Sequence, residues 1–188
     1  MISREKAFEL LEEYTKSQSL IKHALAVEAA MMGYGKKFDE DVTYWSVCGL
    51  LHDVDYEIYP EEHPLKGAEI LREKGYPEDL VLAVKGHADS ANTPRETLMA
   101  KALYAVDELS SFIVAVALVR PNKFEGLKVK SVKKKLKDKA FAKAVDRDII
   151  KKGAEELGVD LTEHIQLIID ALVTREEELK KDGYSLIN

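Results

Sequence analysis

His52 and Asp53 stand side by side at the end of an apolar run, Cys48-Gly49-Leu50-Leu51-His52-Asp53, where a polar pair is not expected to follow a buried face unless something holds it there. One such dipeptide carries little weight, since about a third of one arises by chance in a chain of this composition. Other residues change the reading. His23 lies in a helical stretch with Leu20, Ala24, Val27 and Ala30 near its face, and His63 and His87 follow. Asp107 is embedded in Leu103-Tyr104-Ala105-Val106-Asp107-Glu108-Leu109. Each alone suits a structural role, as a satisfied core or helix-end group. Together they do not, because an ionised carboxylate on the apolar face of a long helix is costly unless a cation or donors compensate it. A metal ion compensates every member at once. Imidazole and carboxylate suit Fe, Mn, Co, Ni or Zn, and Cys48, the only cysteine, leaves no thiolate set to force zinc. Two such ions about 3.5–4 Å apart can share a hydroxide and grip both non-bridging oxygens of a phosphate.

The ordered set His23, His52-Asp53, His63, His87, Asp107 resembles the HD-domain superfamily of metal-dependent phosphohydrolases in its binuclear pattern His…His-Asp…His…His…Asp. Leu50-Leu51-His52-Asp53-Val54-Asp55 is similar to the family's LLHDIG-like signature, and His63-Pro64-Leu65-Lys66-Gly67-Ala68-Glu69-Ile70-Leu71 to its HPxxGAEIL-like helix start. Ala105-Val106-Asp107-Glu108-Leu109 is similar to its late Asp helix. The resemblance covers about residues 17–118, with 119–188 as a helical extension of the same domain. It implies a helical core in which His23, His52, Asp53 and Asp107 hold one metal while Asp53 bridges to a second held by His63 and His87. His52 and Asp53 are then the catalytic pair, and a metal-activated hydroxide attacks a small phosphorylated molecule, a nucleotide or related phosphoester. A di-iron oxygenase on the same scaffold and a non-catalytic metal-binding sensor are the alternatives; the full ligand set counts against the sensor.

One departure from the family matters. Many phosphodiesterase members have Gly-Lys where this chain has Asp55-Tyr56, so a lysine that would touch phosphate is missing. Lys66, Arg72, Arg95 and Arg120 could take its place, as could Lys133, Lys134 and Lys135 near a pocket mouth. Tyr56 and Glu62, close in sequence to ligands, are further substrate contacts to test. His164 falls outside the pattern and reads as structural or exposed.

The elements that must position these groups are helical. Apolar residues recur at helical spacing, and period-two β-branched runs bounded by turn residues are missing, so the fold class is all-α, a single-domain bundle. Helices are expected over about 3–14, 17–32, 39–51, 60–74, 77–86, 94–118, 131–142, 146–157 and 161–180. Gly33-Tyr34-Gly35 is expected to end the second, Pro77 to open the fifth, Pro94 to open the sixth and Gly158 to end the eighth.

Composition bounds the rest. With 188 residues, 46% hydrophobic and 33% charged, the chain can bury one domain's core, which excludes intrinsic disorder. No signal-peptide pattern is expected, no apolar run approaches a membrane span of about 20 residues, and one cysteine suits a reducing compartment, so the expected location is the cytoplasm. The net charge of −6 gives no global attraction to nucleic-acid polymers or membranes, and the apolar helices could support a homodimer. Residues 120–152 stand apart, with 13 Lys/Arg against 4 Asp/Glu. That block is either a solvated face or an anion-attracting wall beside the site.

Overall fold

Side-chain caps start five helices. Ser3, Asp41, Thr97, Asp146 and Asp160 each accept backbone N–H groups of the first turn that follows, each cap contributing about 1 kcal/mol. In the computed structural model, which describes residues 2–188, the helices are α1 (Arg4–Tyr14), α2 (Gln18–Lys37), α3 (Val42–Leu51), α4 (Leu65–Glu73) and α5 (Glu78–Gly86). After a 3-10 turn (Asp89–Ala91) come α6 (Leu98–Leu118), α7 (Val129–Leu136), α8 (Arg147–Leu157) and α9 (Leu161–Lys181). The fold is all-α, with no strand among the described residues, and no described helix is long and apolar enough to cross a membrane.

Five boundaries differ from the sequence reading. α3 opens at Val42 behind its Asp41 cap, not at Asp39, whose φ of 56° is not helical. α2 runs through Gly33-Tyr34-Gly35 to Lys37. Those glycines are packing positions rather than caps: a Cβ on Gly33 would meet the Leu167 side chain of α9 at 3.0 Å, and one on Gly35 would meet Trp45 of α3 at 3.3 Å. α4 begins only at Leu65, because residues 52–64 are spent on turns. α6 opens at Leu98 behind its Thr97 cap, not at Pro94. α7 stops at Leu136, and the turns beyond it are stitched by Arg147, whose guanidinium donates to the carbonyls of Asp138, Phe141, Ala142 and Val145.

α2 is the hub, packing on α3, α6 and α9. Gly49 lets α3 approach it: a Cβ there would lie 2.9 Å from both Met31 Cγ and the Val27 carbonyl. The buried face of α6, including Leu103, Val106, Leu109, Phe112, Ile113 and Val116, fills the centre. The same apolar cluster takes in Phe124, Val132, Ile150, Ile165 and Leu186, so the segment after α6 folds onto the core. Glu28, fully buried in α2, is held by Arg4 of α1 (2.5 and 3.0 Å) and Arg175 of α9 (3.0 Å).

His164 is one of the buried polar groups. Its Nε2 donates to the Ala105 carbonyl (2.9 Å), and its Nδ1 accepts from the Tyr34 hydroxyl, which fixes a neutral ring joining α9, α6 and α2. Burial, only partly offset by the Ala105 carbonyl, lowers its pKa from 6.5 to about 4. The unfolded ring therefore takes up a proton that the folded ring refuses between those values. The stability that His164 confers is complete above pH 6.5 and falls as pH drops toward 4, by about 3 kcal/mol in total. His164→Gln should flatten this acid limb in urea titrations run at several pH values, while metal content stays unchanged. An acid limb as steep as that of the wild type would contradict the assignment.

Candidate metal centre

Six side chains from five places in the chain meet at one end of the bundle. His23 projects from α2, His52 is the C-cap of α3 with Asp53 in the turn after it, His63 closes the turn segment before α4, His87 is the C-cap of α5, and Asp107 sits midway along α6. The Nε2 atoms of His23 and His52 are 3.0 Å apart. Asp107 Oδ1 lies 3.1 Å from His23 Nε2 and 3.5 Å from His52 Nε2. Asp53 divides its carboxylate: Oδ2 faces His23 (3.4 Å) and His52 (3.3 Å), while Oδ1 faces His63 (3.4 Å) and His87 (3.3 Å).

The far nitrogens explain why the near ones point inward. His52 Nδ1 donates to the Gly49 carbonyl (2.7 Å), His87 Nδ1 to the Val84 carbonyl (2.6 Å) and His63 Nδ1 to Asp55 Oδ1 (2.8 Å). These oxygens can only accept, so in the neutral rings the proton sits on Nδ1 and the Nε2 lone pair is turned to the cluster. His23 Nδ1 is paired with the Ser111 hydroxyl at 3.0 Å. Helix ends do part of this work, since the Gly49 and Val84 carbonyls each lie three residues before the ring they hold.

The electrostatics call for positive charge. Burial opposes ionisation of Asp53 and Asp107, yet the surrounding imidazoles hold both carboxyls well below the usual range. Burial likewise disfavours charge on His23, but Asp107 and Asp53 outweigh it and push the ring up to about 9; His52 is raised for the same reason. Positive charge is therefore favoured among these carboxylates, and with the rings neutral and their lone pairs turned inward it is a metal cation that would supply it. Donors bound to one ion at about 2.0–2.2 Å stand about 3–3.5 Å from each other, which is the spacing found. Among the described residues two such groups of ligating atoms occur, His23-His52-Asp107 and His52-Asp53-His87, with His63 Nε2 on the same Asp53 oxygen as His87. The residues fit divalent transition ions.

Above the cluster opens a cleft of about 440 Å³. Tyr56 lines it, its ring edge-on to His63 at 5.2 Å. Of the other substrate contacts expected from sequence, Arg95 reaches the rim through Asp89 and the rest lie elsewhere. Glu62 is exposed and outside the lining. Lys66 pairs with Glu69 (3.0 Å) and lies over Tyr59, and Arg72 pairs with Glu78 (2.7 Å). Arg120 closes the loop after α6 by donating to the carbonyls of Lys123 (2.7 Å) and Glu125 (3.0 Å). Lys133 reaches the Thr162 hydroxyl at the start of α9, and Lys134 is exposed on α7. The wall expected from Lys133 to Lys135 therefore does not form at the cleft, because α7 packs against α9 and α6 through Val132.

The cations that do reach the rim bind Asp89, which lines the cleft: Lys152 of α8 at 2.9 Å and Arg95 at 3.1 Å. Arg95 also pairs with Glu156 (2.7 Å) and stacks 3.6 Å over Tyr104, whose hydroxyl donates to Asp89 (2.9 Å). The sequence reading missed Asp55, Ser111 and Asp89. Asp55 carried a signal, since it is the residue by which the chain departs from the HD-family signature; Ser111 and Asp89 carried none.

Residues 20–117 match the family model of the HD domain. An uncharacterized protein of Methanocaldococcus jannaschii is 35% identical over 100 residues, 50% of this chain and 59% of that protein. The tRNA (cytidine(56)-2'-O)-methyltransferase of Thermoplasma volcanium is 27% identical over 146 residues, 74% of this chain and 42% of the enzyme. Ribonuclease Y of Nitratidesulfovibrio vulgaris is 31% identical over 98 residues, 50% of this chain and 18% of the enzyme. The chain thus spans less than two thirds of the length of each of these relatives. The stretch matched to the family model covers more than half the chain and contains all six residues of the cluster: the chain belongs to the HD domain family.

Proposed function

We propose that this protein is a metal-dependent phosphohydrolase acting on a small phosphorylated molecule, a nucleotide or related phosphoester. The observation that carries the reading is the split carboxylate of Asp53, one oxygen turned to His23 and His52 and the other to His63 and His87. His23, His52, Asp107 and Asp53 Oδ2 would hold one ion; Asp53 Oδ1, His63 and His87 would hold a second. Fe, Mn, Co, Ni or Zn bound there would supply Lewis acidity toward a phosphoryl oxygen and lower the pKa of water. Asp53 keeps the two halves in register, and the Nδ1 bonds of the imidazoles hold their lone pairs on target. The hydroxyls of Tyr56 and Ser90, both in the cleft lining, can donate to phosphoryl oxygens, and Lys152 and Arg95 moderate the acidic rim at Asp89.

The test is metal analysis of freshly purified protein, followed by a panel of phosphomonoesters, nucleotides and cyclic nucleotides. The expected result is phosphate-ester hydrolysis that chelation abolishes and one of the five metals restores. Oxygen uptake with iron bound and no ester cleaved would instead indicate the oxygenase chemistry available to the same donors.

A further inference from the structure

Most cations of the basic block stand away from the His/Asp cleft, whose lining holds none of them, and several build a cavity of their own. It lies between α7, the turns over 137–146 and the start of α8, with a volume of about 880 Å³, inside the range of about 300–1,000 Å³ common for small-molecule sites. None of its lining residues lines the His/Asp cleft; neighbouring Ile149 and Ile150 of α8 serve the two cavities separately. Lys133, Lys137, Lys139, Lys143, Arg147 and Lys151 surround it. Among the described residues, no carboxylate lies within ion-pair distance of Lys137, Lys139, Lys143 or Arg147.

The two acidic residues in the lining are already engaged. Asp146 caps α8 by accepting from the N–H groups of Asp148 (2.8 Å) and Ile149 (3.3 Å), and Asp148 lies 3.8 Å from Lys151. Arg147 spends its Nη donors on loop carbonyls, while its buried Nε has no partner. Leu136, Val145, Ile150 and Leu161 add an apolar surface among the cations. Phe141 is packed edge-on against Phe112 at 5.6 Å and is not part of the lining, so the cavity offers no row of aromatic rings for successive bases of a single strand.

We propose that this cavity is a second ligand site, which takes a polyphosphorylated small molecule with an apolar or planar body, a nucleoside diphosphate or triphosphate. Several unneutralised cations meet the phosphates, and the apolar surface meets the body. Binding here requires neither metal nor turnover at the His/Asp cleft.

The test is calorimetric titration of the full-length protein, kept in EDTA to silence the cleft, with ATP, tripolyphosphate and adenosine as probes. The expected result is one ATP per chain, with an affinity that falls as salt rises and exceeds that of either half-ligand. The Lys139→Glu/Lys143→Glu variant, altered only at exposed side chains, should bind ATP at least about tenfold more weakly with an unchanged melting temperature. No heat with millimolar ATP at low salt, or equal affinity in the variant, would overturn the proposal. So would tripolyphosphate binding as tightly as ATP, or a short single-stranded RNA displacing ATP at lower concentration than ATP itself requires.

Discussion

Asp53→Ala is expected to strip the protein of bound metal and of turnover together. No other carboxylate of the cluster faces all four imidazoles: its oxygens stand 3.3–3.4 Å from the Nε2 atoms of His23, His52, His63 and His87. Removing it takes one donor from each half of the centre and one negative charge from between them. Loss of an outer partner of a metal ligand typically costs 10–100-fold in affinity. A carboxylate that ligates on both sides should cost more, at least about a thousandfold, or roughly 4 kcal/mol. Asp53→Asn keeps the shape and one acceptor oxygen, so it should retain part of the metal and lose most of the turnover. Metal content after desalting and phosphate release from the best substrate read both effects. An Asp53→Ala protein that keeps wild-type metal and turnover would show that this carboxylate is not the bridge.

The second large effect is expected at Asp55, which touches no inward-facing imidazole nitrogen. It is fully buried, and its two oxygens accept from His63 Nδ1 (2.8 Å) and the Gly67 N–H (2.6 Å). One residue therefore fixes the tautomer of a ligand and anchors the first turn of α4. Asp55→Ala should lower affinity on the His63/His87 side by about 10–100-fold, leaving about one ion per chain at metal concentrations where the proposed centre of the wild type would hold two. It should also cost about 1–3 kcal/mol of stability, because the buried Gly67 N–H loses its acceptor. Asp55→Asn can still accept one of the two bonds and should fall between. Gly67→Ala offers an independent check, since its Cβ would lie 3.0 Å from Asp55 Cγ and push the carboxylate off His63. Metal stoichiometry and urea midpoints measure these outcomes; unchanged stoichiometry in Asp55→Ala would remove Asp55 from the centre.

The cluster was legible because its cost is visible in the sequence. A charged Asp107 inside an apolar helix and a His-Asp pair closing another make little sense separately, and a shared metal ion would account for them together. The helices were legible from apolar residues recurring at helical spacing, but the caps at Asp41 and Thr97 were not, and α3 and α6 start later than that spacing places them. What sequence spacing could not supply is contact between distant segments. Gly33 and Gly35 look like helix stops until Leu167 and Trp45 are seen against them. Ser111 looks like an ordinary helical serine until His23 is found 3.0 Å away. The lysines of 120–152 read equally as a solvated face or an anion-attracting wall, and their direction is set by α7 packing on α9, which no local pattern encodes. Asp55 is the intermediate case: its departure from the family signature read as a lost lysine, whereas the structure shows a carboxylate gained for His63.

The most direct test of the metal-centre assignment is a crystal structure of metal-loaded protein, recorded at the absorption edge of the metal found in fresh preparations. The predicted result is an anomalous peak about 2.0–2.2 Å from the inward donors of His23, His52, Asp53 and Asp107, with a second peak shared by Asp53 Oδ1, His63 and His87. An ordered cluster without any anomalous peak after loading, or a peak bound only by other residues, would contradict it.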